Sequence, residues 1–125
     1  MPADDDTVPY RMKDFIENGL SRHDRVESFV SLDHHRYLIK RIIGDQIEMY
    51  ISGKYLFGEA DYHDVKMNHP AVNCVVLGSL YASYTRGAKQ AAADDGKGLL
   101  TYREFYGALN LKNYRAYVKR EPKKK

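Results

Sequence analysis

The side chains best suited to chemistry by type and spacing lie near the C-terminal end, where Tyr114 and Tyr117 alternate with Arg115 and Lys119. Rings interleaved with cations let bases stack while the charges meet phosphates. Between positions 112 and 125 stand Lys112, Arg115, Lys119, Arg120, Lys123, Lys124 and Lys125 against Glu121 alone, a local balance of +6. The rest of the chain holds 13 basic and 16 acidic residues, so the formal charge of +3 is unevenly placed. The body is not basic, and only the end attracts polyanions. A lysine-rich end also keeps a protein soluble, and composition alone leaves both readings open.

Other constellations are weaker. Asp94 to Phe105 has Gly98 and Glu104 where an EF-hand loop needs its glycine and last ligand. That register puts Ala93 and Lys97 at ligand positions, removing two oxygens and adding a positive charge. The histidines at 23, 34, 35, 63 and 69 include no His-x-x-x-His pair, and there is no Cys-x-x-Cys. His63, His69 and Cys74 lie close in sequence, but His69 precedes Pro70 and Cys74 sits in an apolar run, which suits a core thiol better than zinc. No glycine-rich phosphate loop and no Gly-x-Ser-x-Gly elbow is present. One cysteine excludes an internal disulfide and fits a reducing, cytoplasmic setting. No signal peptide and no apolar run of about eighteen residues is visible, so no membrane partner is expected. Eleven tyrosines and no tryptophan suit either stacking on bases or protein contacts, because each ring is apolar with one bonding end.

The elements that must position these groups are legible. A length of 125 residues, 43% of them hydrophobic, suits one domain with its own core. The division is a polar N-terminus at 1–8 with Asp4, Asp5 and Asp6, a domain at 9–111, and the basic tail at 112–125. Tyr10, Met12, Phe15, Ile16 and Leu20 recur near helical spacing, with Pro9 suited to the first turn and Asn18 and Gly19 to the end. Runs at 26–32, 36–43 and 46–52 alternate, separated by short polar turns, and predict an antiparallel meander. Ala60, Val65 and Met67 suggest a short helix that Pro70 would end. Cys74 to Ser79 predicts a buried strand, and Thr85 caps a helix that Asp94, Asp95 and Gly96 end. A short strand at 98–102 and a final helix at 103–109 follow. Strand, crossover helix and strand favour a parallel pair, so the fold class is α/β with one mixed sheet.

Cys74 to Ser79, Thr85 to Ala93, Gly98 to Tyr102, and Glu104 with Phe105, in that order, resemble the second half of restriction-endonuclease-like proteins, the PD-(D/E)xK nucleases of Mrr type. The resemblance covers about two thirds of the chain through hydrophobic rather than chemical motifs. It implies an acid on one strand of a hairpin and Glu-x-Lys on the next, with two carboxylates holding Mg2+ or Mn2+. Glu27 could stand for the first acid, and Asp33 or Glu48 could supply another. The second strand, however, presents Lys40 at the glutamate position and Ile42 at the lysine position. A cation cannot replace a metal-binding carboxylate, so the catalytic motif is incomplete and no cofactor is expected outside a nuclease reading.

Three classes of function follow. The first is a nucleic-acid-associated module with a nuclease-like fold, gripping DNA or RNA through the basic tail with Tyr114 and Tyr117. The second is a protein-binding adaptor or inhibitor acting through tyrosines such as Tyr81 and Tyr106. The third is a metal-dependent nuclease using Glu27, Asp33 and Glu48. The balance of the residues leans toward no enzyme activity.

Overall fold

The structure, a computed structural model, describes residues 8–42, 46–79 and 81–109. The first helix, α1 (Tyr10–Arg22), starts behind Pro9 and turns Ile16 and Leu20 inward. It runs past Asn18 and Gly19, where the sequence suggests its end, because Gly19 lies within the helix against the ring of Tyr106. A meander of β1 (Val26–Ser31), β2 (Arg36–Arg41) and β3 (Ile47–Ser52) follows. Asp33 makes the first turn: its Oδ1 accepts the backbone N–H of both His35 and Arg36 at 2.9 Å, a local bond that suits this residue to turns. Ile47, Met49 and Ile51 share the inner face of β3 with no exposure. On β1 a register irregularity between Val26 and Ser28 shifts the alternation, so Phe29 packs inward while Val30 stays 53% exposed.

The second half contains β4 (Leu56–Phe57), α2 (Glu59–Asn68), β5 (Cys74–Leu77), β6 (Ser83–Tyr84), α3 (Arg86–Asp94), β7 (Gly98–Thr101) and α4 (Tyr102–Ala108). The main sheet has the order β1-β2-β3-β5-β7; β1, β2 and β3 pair antiparallel, and β3, β5 and β7 pair parallel. The class is α/β. A second, two-stranded parallel sheet joins β4 to β6; two-residue strands are too short to leave a periodic signal.

The sheet is covered on both sides. Ile16 and Leu20 of α1 and Phe105 and Ala108 of α4 pack with Tyr37, Ile39, Met49, Cys74, Val76 and Leu100 on one face. Tyr62 and Val65 of α2 and Ala88 and Ala92 of α3 pack with Tyr50, Val75, Leu77 and Leu99 on the other. Successive residues of a strand point to opposite faces, so a strand sandwiched between helix layers must be apolar throughout. All four residues of β5 are buried, Cys74 included. The short helix suggested by Ala60, Val65 and Met67 is α2; its buried side chains are Tyr62 and Val65, and Met67 is 81% exposed. Thr85 does cap α3, its Oγ1 accepting the Ala88 N–H at 3.0 Å.

Candidate functional site

The three candidate metal carboxylates do not converge. Glu27 lies exposed near the start of β1, whereas Asp33 sits in the turn beyond its end. At the usual strand rise, that separation is roughly 20 Å along the arm. Asp33 and Glu48 do approach one another, but through a guanidinium. Arg36 donates from Nε to Asp33 Oδ2 at 2.7 Å and from Nη1 to Glu48 Oε2 at 3.1 Å. Partial burial raises the Asp33 carboxyl, but the Arg36 side chain and the two turn amides outweigh it and hold the group below its usual range. Arg36 occupies the place between two acids that a divalent cation would need. Among the described residues, no group of three or more His, Cys, Asp or Glu could hold a metal ion.

The histidines serve the frame. His34 Nε2 donates to the Val8 carbonyl and His35 Nδ1 to the Ile51 carbonyl, each at 2.9 Å. His35 also stacks on Tyr50, 4.9 Å between ring centres and 3° from parallel. His23 bonds the Tyr106 carbonyl, which ties α1 to α4. Residues of the imagined calcium loop also have other partners. The Tyr84 hydroxyl lies 2.9 and 3.0 Å from the two oxygens of buried Glu104, and the Thr101 N–H donates to one of them at 3.0 Å. Lys89 donates to the Leu99 carbonyl at 2.6 Å; burial lowers its pKa, with the field of Glu104 opposing.

A different place has the makings of a site. In the parallel half, Ser52, Leu77 and Thr101 are level with one another in register. The residues just beyond them therefore open at one end of the sheet, the end at which open α/β sheets form ligand crevices. The first half of α1 lies over this end. Gly78 permits the approach: a Cβ there would stand 2.5 Å from Met12 Sδ and 2.8 Å from its Cγ. The result is a cleft of about 630 Å³. Pro9, Arg11, Met12 and Phe15 line it from α1 and its start, Tyr55 from beyond β3, Gly78 and Ser79 from beyond β5, and Tyr102 from the start of α4. Such a volume falls in the about 300–1,000 Å³ range of small-molecule pockets.

Among the described residues the lining is aromatic and cationic, with no carboxylate. Phe15 and Tyr102 meet edge to face, 5.4 Å between centres and 79° between planes. The Arg103 guanidinium lies 5.9 Å from the Tyr102 ring centre. Tyr55 is 70% exposed. Helix α1 has no side-chain cap from Pro9 and no acid in its first turn, so no group within that turn offsets its positive end. Ring faces, Arg11 and a helix N-terminus together favour a flat, apolar group carrying negative charge.

Sequence reasoning missed this cleft because its residues come from four separate segments. The available signal was an aromatic residue just past a strand end, as with Tyr102 after β7, and the Gly78–Ser79 step closing an apolar run. Of the two tyrosines named for a protein contact, Tyr81 is 82% exposed, whereas Tyr106 on α4 is half-buried against Gly19 of α1. Lys112, Tyr114, Arg115, Tyr117, Lys119, Arg120, Lys123, Lys124 and Lys125 lie outside the described residues. Among the described residues, no helix is long and apolar enough to cross a membrane. The chain matches no protein-family model, and no curated protein or solved structure matches it.

Proposed function

We propose that this protein is a nucleic-acid-binding module that receives bases at the cleft and draws the phosphate backbone to its cations. The observation that carries the reading is the cleft lining itself: among the described residues it holds three aromatic rings and Arg11 and no carboxylate. Aromatic faces and arginine together stabilise stacked bases, and the phosphates are attracted to Arg11, to Arg103 and to the basic residues at 112–125. The order β5, β6, α3, β7, α4 supports the reading further, since apart from the two-residue β6 it is the order that a nuclease-like plan implies for the second half. The carboxylate arrangement supports binding without cleavage: Arg36 holds Asp33 and Glu48, and Glu27 stands apart.

The test is a salt-titrated binding assay on labelled DNA and RNA with the full chain, with Arg11→Ala, and with residues 112–125 deleted. Each cation that meets a phosphate steepens the salt dependence by about 0.7 to 0.9 in log–log slope. If all seven basic residues of the tail contribute, the deletion lowers the slope by about 5 on single strands. Affinity insensitive to salt, or absent for both nucleic acids, would overturn the reading.

A protein-binding adaptor is the second reading. It is favoured by Val30 at 53% exposure on β1, paired with half-buried Leu38 on β2, together with Leu32 and Ile42, both exposed. A partner captured equally well after nuclease treatment, and lost with Val30→Asp, would favour it.

A further inference from the structure

We infer that the cleft takes one unstacked base and that the protein therefore selects single-stranded nucleic acid over duplex; this inference rests on the nucleic-acid reading above. Phe15 and Tyr102 stand 79° apart in plane, so together they form a corner rather than a flat platform. A planar base can lie against one ring while its rim meets the other. Met12 and Gly78 add an apolar lining, and Arg11 and Ser79 are the polar groups beside it.

In a duplex both faces of each base are covered by neighbours, and only base rims and phosphates are presented. Duplex readers therefore insert a helix or ribbon into a groove. This site offers ring surfaces, and a base stacked within a duplex has no free face to lay against them. A base swung out of the strand can reach them, and doing so costs least where the strand is already unpaired. Charge fits the same occupant. Among the described residues the lining contains no acid, Arg11 stands at the cleft, and Arg103 lies against the Tyr102 ring, so cations are at hand for the phosphates of an inserted nucleotide.

Fluorescence anisotropy at low salt tests the inference with three labelled probes: a short single strand, the matching blunt duplex, and that duplex with one bulged base. The full chain is expected to bind the single strand best, the bulged duplex next and the blunt duplex least. Phe15→Ala and Tyr55→Ala change exposed positions, and each should weaken single-strand binding by roughly 5- to 150-fold, the range found for loss of one base–ring stack. Neither should change blunt-duplex binding by more than about twofold, because that contact is made through phosphates. Met67→Ala, exposed and away from the cleft, should change nothing. Blunt duplex bound as tightly as single strand, or equal losses on all probes from Phe15→Ala, would overturn the single-strand inference while leaving nucleic-acid binding in place. No binding to any probe would overturn both.

Discussion

Gly19→Ala separates what helix propensity predicts from what packing predicts, because the two have opposite signs. Gly19 lies inside α1, where alanine is better than glycine by about 1 kcal/mol. On propensity alone the substitution should stabilise the protein. The new methyl group, however, would stand 2.1 Å from the Tyr106 hydroxyl oxygen, 2.5 Å from Cζ and 2.9 Å from Cε1. The ring has little room to retreat, since Tyr106 also contacts the rings of Tyr102, Phe105 and His23. Forcing extra volume into such a contact costs up to about 3 kcal/mol. The net expectation is a loss of about 2 kcal/mol, or a Tm lower by roughly 8 °C for a domain of this size. Thermal and urea unfolding followed by circular dichroism measure it. The Tyr106 hydroxyl is buried without a hydrogen-bond partner among the described residues, so Tyr106→Phe should cost little, and Gly19→Ala should be milder in that background. A Tm that rises on Gly19→Ala, or identical losses with and without the hydroxyl, would refute the packing of α4 on α1.

Three further outcomes are expected. Burial, aided by the field of Tyr102, pushes Tyr106 up to about 12; burial pushes Tyr37 and Tyr62 higher, with their bonds to Glu17 and Asp95 adding to it. An unfolded tyrosine ionises near 10, so stability is full below about pH 10 and falls as pH rises toward 12 and beyond. Tyrosinate absorbance in which every tyrosine of the folded protein ionises together near pH 10 would contradict this. On the acid side, Asp33 and Asp95 are both held below the ordinary carboxylate value, Asp95 by the Tyr62 hydroxyl and then Lys66. Their contribution is present above that value and is lost as pH falls through the lowered one. Arg36→Ala should raise the Asp33 pKa, readable by carboxyl NMR, while changing stability by no more than about 1 kcal/mol, because the bridge is partly exposed. An unmoved Asp33 would show that the bridge does not form. Thr85→Ala should cost about 1 kcal/mol through loss of the α3 cap and Thr85→Ser should recover most of it; equal losses would count against the cap.

Periodicity and turn chemistry make most of the fold legible in the sequence. Apolar alternation at Ile47, Met49 and Ile51 specified the inner face of β3, and the run from Cys74 to Leu77 specified a strand buried on both sides. Thr85 marked the start of α3 and Asp33 the first hairpin turn, since both act through bonds to backbone groups two or three residues away. Such signals are local and survive in a linear reading.

What only the tertiary structure decided depends on groups distant along the chain. Glycine at position 19 reads as a helix end until the Tyr106 ring, contributed by α4, supplies a reason for it inside the helix. In the linear reading Asp33 and Glu48 are candidate acids of an incomplete motif; the β2–β3 register and the Arg36 side chain between them give them their partner. The cleft exists because parallel pairing levels three strand ends beneath α1, gathering Arg11, Phe15, Tyr55, Gly78 and Tyr102. Residue type determined which strands and helices could form; strand register and helix packing determined which side chains meet, because those contacts arise only when distant segments share one sheet.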